Sequence, residues 1–171
     1  MLAHYQSVRV MYRFFDGQYA EAWRISRQLD ELLVFVPGMM TVVEHAFFQG
    51  LSASQLWTDA AAPERAQYAA CVEARLRSLE TWAAHCAENY APLHLTLNAE
   101  LARIRGTADA ATYEKAIAAA QASDFPHIEA IACELAMHHV SVSDPASAAE
   151  MRERAKAAYR AWGAVRKAES L

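Results

Sequence analysis

The chain has 171 residues, 54% of them hydrophobic and 21% charged, and carries a net charge of −4 at pH 7. This is an ordered globular composition, long enough for one domain with a real core or for a short stack of repeats, and it excludes a disordered tail. The acid excess also argues against a nucleic-acid partner, which needs a concentrated basic face; here the charges interleave, as in Arg152-Glu153-Arg154.

Helix formers dominate, while the five glycines and five prolines stand singly, so the expected fold class is all-α. In chain order, Tyr5, Val8, Tyr12 and Phe15 share one helical stripe, and Asp16-Gly17 marks a turn. Ala22, Ile25, Leu29 and Leu32 form the next stripe. The strand-like piece 32–36 is too short and isolated to build a sheet, and Pro37-Gly38 ends it. From Met39 to Leu51 the chain is apolar nearly all round, which predicts a central helix with neighbours on several sides. Pro63 suits a helix start, followed by a stripe of Tyr68, Val72, Leu76, Leu79, Ala83 and Cys86.

Beyond a break at Glu88-Asn89, Leu93, Leu97, Leu101 and Ile104 fall on one face, closed by Arg105-Gly106-Thr107. After Asp124 come Ile128, Ile131 and Leu135. Asp144-Pro145 pairs an N-cap with a proline in the first turn, and Ala148, Met151, Ala155, Tyr159 and Trp162 form the last stripe. The pattern predicts eight helices in four antiparallel hairpins, breaking near residues 36, 88 and 124, within one domain over 1–171.

Small residues at helix crossings suggest a repeat of tetratricopeptide type, a helix pair of about 34 residues. Gly17-Gln18-Tyr19-Ala20-Glu21-Ala22 fits the turn of such a pair. Gly106 with Ala111, Tyr113 and Ala116 is a looser copy, and Asp144 with Ala148, Ala149 and Tyr159 a third without the glycine. The expected architecture is a tetratricopeptide-like right-handed superhelical stack.

An ordered series of short blocks carries a more specific likeness. Pro37-Gly38 precedes Ala46-Phe47-Phe48; Pro63-Glu64-Arg65 follows, then the runs Trp82 to Tyr90 and Ala99 to Gly106. Glu129-Ala130 leads to Cys133-Glu134-Leu135-Ala136, and Ala158-Tyr159 to Arg160-Ala161-Trp162-Gly163-Ala164 and Lys167. From about Tyr19 to Leu171 the chain resembles the tetratricopeptide-like helical region of very large bacterial signalling proteins. Those proteins also contain a kinase-like domain, an AAA-type ATPase, a GAF domain and a histidine kinase. The chain departs from them in a shorter loop after Gly106, in Ser143-Asp144-Pro145 for a glycine turn, and in His138-His139 for an aromatic. The resemblance implies an interaction or regulatory module in, or derived from, such a protein, with neighbouring domains as partners.

None of the matching residues is catalytic. The isolated glycines build no phosphate cradle, and kinase signatures are absent from the sequence. No cofactor is implied. Cys133, Glu134 and His138 could begin a metal or thiol site, as could His85-Cys86 with His94, but a full site needs three or four ligands. The competing account is a Glu134–His138 surface pair with Cys133 and Cys86 in the core, and the tryptophans Trp23, Trp57, Trp82 and Trp162 read as packing residues.

In stacked hairpins the first helix of each pair lines the concave face, which makes Arg9, Arg13, His45, Gln49, His94 and Asn98 the candidate binding residues. The Tyr12-Arg13-Phe14-Phe15 patch is a candidate docking face for a preceding hairpin. The expected partner is a protein or peptide, with homodimerisation through exposed end helices as a further arrangement. A free-standing adaptor of the same fold, or a small enzyme using Cys133, Glu134 and His138, is the alternative. No apolar run is long enough to cross a bilayer, no signal-peptide pattern opens the chain, and three widely spaced cysteines suit a reducing cytoplasm.

Overall fold

The computed structural model describes residues 1–35, 37–141 and 143–171. Its elements are α1 (Leu2–Phe15), α2 (Tyr19–Asp30), a single 3₁₀ turn (Leu33–Phe35), α3 (Met40–Trp57), α4 (Ala62–His85) and α5 (Ala87–Ile104). They continue with α6 (Ala110–Ala122), α7 (Pro126–Val140), α8 (Pro145–Trp162) and α9 (Val165–Glu169). The fold is all-α, and the described residues contain no strand. The eight long helices match the predicted ones in number and order, but α4 ends at His85 and Cys86 makes the break, so Glu88-Asn89, read as a turn, lies in the first turn of α5; the five-residue α9 is additional and too short to leave a periodic signal. Val36, the end of the strand-like piece, lies outside the described residues. The chain divides into two compact units, Met1–Thr81 and Trp82–Leu171, with the boundary inside α4.

Four of the helices, α1, α5, α6 and α8, are ended by one recurrent turn. Gly17, Gly106 and Gly163 have φ of 72°, 71° and 92°, a region open to glycine at little steric cost. The N–H of each donates to the carbonyl three residues back, in Phe14, Arg103 and Arg160, at 3.0 Å. The next N–H donates five back, to Arg13, Ala102 and Tyr159. These two bonds satisfy carbonyls that the helix end would otherwise orphan, and they reverse the chain within a few residues. Asp124 does the same between α6 and α7 with φ 54°, its N–H reaching Gln121 and that of Phe125 reaching Ala120.

Helix starts are equally local. Asp144 accepts the Ser147 N–H at 3.1 Å with Pro145 in the first turn, as expected from the sequence. Asp109 accepts the Thr112 N–H at 2.8 Å while the Thr112 hydroxyl accepts the Asp109 N–H at 3.4 Å, a reciprocal cap that opens α6.

In the first unit α1, α2 and α3 pack against one another. Phe14 meets the Tyr19 and Phe48 rings at 5.4 and 5.5 Å, over a core of Val10, Ile25, Leu29, Phe47 and Leu51. As its composition predicts, α3 is buried along nearly all of its length from Thr41 to Ser54. In contrast, α4 buries only Val72 and Leu79, and it is held by longer side chains: Tyr68 edge-on to Trp23 at 5.3 Å, and Arg65 on the Trp57 and Thr58 carbonyls.

In the second unit α5 to α8 pack in sequence, α5 also touches α7, and α9 lies on α8. Leu97, Tyr113, Ile117, Ile128, Ile131 and Tyr159 fill the core. Two buried carboxylates pin helices together. Glu100 accepts from the Tyr113 hydroxyl at 2.9 Å and from Arg103, and Glu134 accepts from Tyr159 at 2.5 Å and from Lys167 of α9 at 2.7 Å.

One expected stripe is on the wrong side of its helix. Tyr5, Val8 and Tyr12 are exposed and Phe15 half-buried, while α1 turns Ala3, Ser7, Val10 and Phe14 inward. The small side chains of Ala3 and Ser7 let α1 approach its neighbours closely, which a stripe of tyrosines would prevent.

Since left-handed backbone strains any residue with a Cβ, Asp124→Gly is expected to stabilise the protein, by up to about 1 kcal/mol. Urea unfolding of the two proteins checks this through the shift in midpoint.

Candidate interaction surface

Helix α1 is apolar on two sides. Its inner stripe recurs at i, i+4, i+7 and i+11, and Tyr5, Val8 and Tyr12 recur at i, i+3 and i+7 on the opposite side. Their exposures are 59%, 43% and 62%, and Leu2 at the helix start is 57% exposed. Arg9 and Arg13 border this stripe, with their guanidinium carbons 5.8 Å from the centre of the Tyr5 ring and 5.6 Å from that of Tyr12. Such contacts hold the guanidinium groups in place without consuming their charge. Their hydrogen bonds go to neutral amides, Arg9 to Gln6 at 3.1 Å and Arg13 to Gln18 at 2.8 Å. Helix α1 contains no acidic residue. Asp16, just past its end, accepts from Gln18, and Glu21, near enough to feel both arginines, is bonded by both arms of Arg24.

Of the six residues expected on a concave binding face, Arg9 and Arg13 therefore share one surface. His45 and Gln49 do not belong to any surface: each is 1% exposed. They lie one turn apart on α3 and form a polar cluster with the half-buried Asp30 of α2. The Asp30 carboxylate accepts from His45 Nε2 at 2.8 Å, Gln49 Nε2 at 3.0 Å and Arg75 of α4 at 2.6 Å. Arg75 also donates to the Gln49 carbonyl oxygen at 2.5 Å, and the Cys71 thiol lies 3.8 Å from that oxygen. The apolar run of α3 hid this role, because two polar residues inside it resemble groove residues until Asp30 and Arg75 are seen to meet them.

Burial pushes the His45 imidazole below its ordinary value despite the Asp30 carboxylate beside it, so the ring is neutral. Its Nε2–H then faces Asp30, and Nδ1 is left buried without a hydrogen-bond partner. Burial alone would raise Asp30, but the bonds from His45 and Gln49 and the Arg75 charge hold it below the usual carboxylate range. Burial also pushes the Cys71 thiol up to about 11.

The remaining two candidates are on α5. His94 is half-buried, and Asn98 is exposed on the rim of a pocket of about 320 Å³ bordered by Leu95, Arg105, Thr107 and Lys115. Sequence reading did not anticipate this pocket; it forms where α5, the Gly106 turn and α6 meet.

The arrangement expected of a metal or thiol site takes another form. Cys133 is fully buried, and burial pushes its thiol up to about 12, far from the thiolate that nucleophilic or metal chemistry requires. Glu134 bonds Tyr159 and Lys167, with His138 Nε2 at 3.9 Å. Among the described residues no group of three His, Cys, Asp or Glu side chains is placed to hold a metal ion. Of the tryptophans, Trp23, Trp57 and Trp82 are half-buried, while Trp162 is 38% exposed and tilts against His127.

No protein-family model matches the chain, and no curated protein or solved structure is significantly similar to it.

Two outcomes test this geometry. Phe14→Ala is expected to cost about 3–5 kcal/mol, whereas Tyr12→Ala stays within about 0.5 kcal/mol of the parent; equal losses in denaturant unfolding would place both rings in the core. The second concerns pH. Because the folded protein holds His45 below the unfolded value of 6.5, its contribution is complete above that pH. As pH falls further, the unfolded chain takes up a proton that the folded chain refuses, and stability declines. The lowered His127 acts in the same direction, and Asp30 adds its own loss only below its unfolded value of 3.8. Urea midpoints measured between about pH 8 and pH 5 should therefore fall less steeply for His45→Gln than for the parent.

Proposed function

We propose that this chain is a non-catalytic helical-hairpin module of tetratricopeptide-like type that binds a protein segment. The observation that carries this reading is the packing order. In the first unit α1 touches α3 as well as α2, and in the second α5 touches α7 as well as α6. The first helix of one hairpin thus lies on the first helix of the next, which is how stacked hairpins extend a core while keeping one set of helices free to line a binding face. The exposed Tyr5, Val8 and Tyr12 stripe supports it, since aromatic side chains beside arginine are the composition that dominates binding energy at protein interfaces.

The block-by-block resemblance supports reading such a module as part of a large bacterial ATPase–histidine kinase signalling protein of the cytoplasm. There, a partner seated on the module would act by differential binding, favouring one stacking of the hairpins on neighbouring domains over another. No cofactor enters this scheme. An enzyme built on Cys133, Glu134 and His138 is the weaker reading, because the thiol is buried and protonated and the carboxylate already has two partners.

Immunoblotting of the source cells with an antibody against this segment tests the placement. The expected band lies far above 19.0 kDa. A band near 19.0 kDa would instead identify a free adaptor of the same fold.

A further inference from the structure

We infer that the outer face of α1 is a docking site for an acidic amphipathic helix from another protein or another domain; this rests on the interaction-module reading and names its partner class. The face has the three properties such a ligand requires. Its apolar centre of Tyr5, Val8 and Tyr12 runs along two turns of helix and matches one stripe of a partner helix. Its border carries Arg9 and Arg13 four residues apart, so carboxylates one turn apart on the partner, about 6 Å along its axis, would meet both. Both guanidinium groups are stacked beside tyrosine rings and hydrogen-bonded to glutamine amides, which leaves their charge to a carboxylate arriving from outside.

The same charges argue against a second copy of this chain. Two α1 faces related by a two-fold axis would bring four arginines into one interface with no acidic residue on either helix. Pairing α1 with the exposed Trp162 and Val165 fares no better, because Arg160 and Arg166 lie beside them in the sequence and would add positive charge. An anionic membrane is the poorer match too. Surface-binding helices set a broad apolar face among many Lys and Arg residues, and here two arginines flank a stripe of two tyrosines and one valine.

The probe is a fluorescein-labelled amphipathic peptide of about 16 residues, with a leucine stripe bordered by glutamates one turn apart, titrated with the intact protein by fluorescence anisotropy. Its counterpart with lysine for glutamate and vesicles of phosphatidylcholine with phosphatidylserine are run in parallel. The expected result is binding of the acidic peptide, weakened by salt, and none of the lysine peptide or vesicles. Tyr5→Ala/Tyr12→Ala should weaken binding at least about tenfold, and Arg9→Glu/Arg13→Glu should transfer preference to the lysine peptide. Unchanged melting temperatures would confirm that these substitutions leave the fold intact; if the double charge reversal fails to fold, Val8→Arg replaces it and should abolish binding.

Four results overturn the inference, the first three being no binding of the acidic peptide, vesicle binding lost with the same variants, and concentration-dependent dimerisation that the variants abolish. Peptide binding that the α1 variants leave unchanged also overturns it, but moves the site to another face and leaves the module reading standing.

Discussion

Much of the structure depends on a backbone constraint: α1, α5, α6 and α8 each stop and redirect the chain within a few residues. A left-handed residue achieves this at Gly17, Gly106, Asp124 and Gly163. Without it, the next helix would start too far away to bury its apolar stripe on the previous one, and a helix of this length is marginal alone in water. The turn therefore sets which helices become neighbours. Composition then decides only how closely they approach.

Helix α1 shows the second part of that logic. Its two stripes compete for the same core, and the one that carries two tyrosines loses. Ala3 and Ser7 permit a short interhelical distance, and Phe14 supplies at one end the ring that fills the space beside Phe48 and Tyr19. Burying Tyr5 and Tyr12 instead would have required partners for two hydroxyls and a wider gap between helices. The rejected stripe remains in water at 43–62% exposure, at a hydrophobic cost that a partner would relieve.

This is also where legibility in the sequence ended. The all-α fold, the central burial of α3, the Asp144-Pro145 helix start and the glycine turns could be read directly, because each depends on one residue or one local period. The faces of α1 could not, since periodicity identifies a stripe but not which of two stripes finds a neighbour. His45 and Gln49 failed for a related reason. A polar residue in an apolar helix reads as surface unless its partners are known, and Asp30 and Arg75 lie 15 residues before and 30 after His45. Of the candidate binding residues, Arg9 and Arg13 lie half-buried on the outer side of α1, where Tyr12 reads both as part of an apolar stripe and as part of a docking patch.

The buried polar clusters show how such mistakes bear on function. A buried carboxylate is tolerated only where its bonds are made, so it discriminates sharply between correct and shifted packing. Glu100 joins α5 to α6 through Tyr113, Glu134 joins α7 to α8 and α9 through Tyr159 and Lys167, and the half-buried Asp30 ties α4 to α2 and α3 through Arg75. Each therefore fixes the register of helices whose apolar surfaces alone would accept several. For α4 this matters most, because it buries just two apolar side chains and relies on longer contacts to Asp30, Gln49, Trp23 and Trp57. A module organised in this way has a tightly specified core and one helix held chiefly by polar and edge contacts. Arg9 and Arg13 contrast with these pairs: they are charged, preorganised by tyrosine rings, and bonded only to amides. With Glu100 and Glu134 matched inside the chain, and Glu21 bonded to Arg24, the two arginines on α1 keep hydrogen-bonding capacity for a partner's carboxylate.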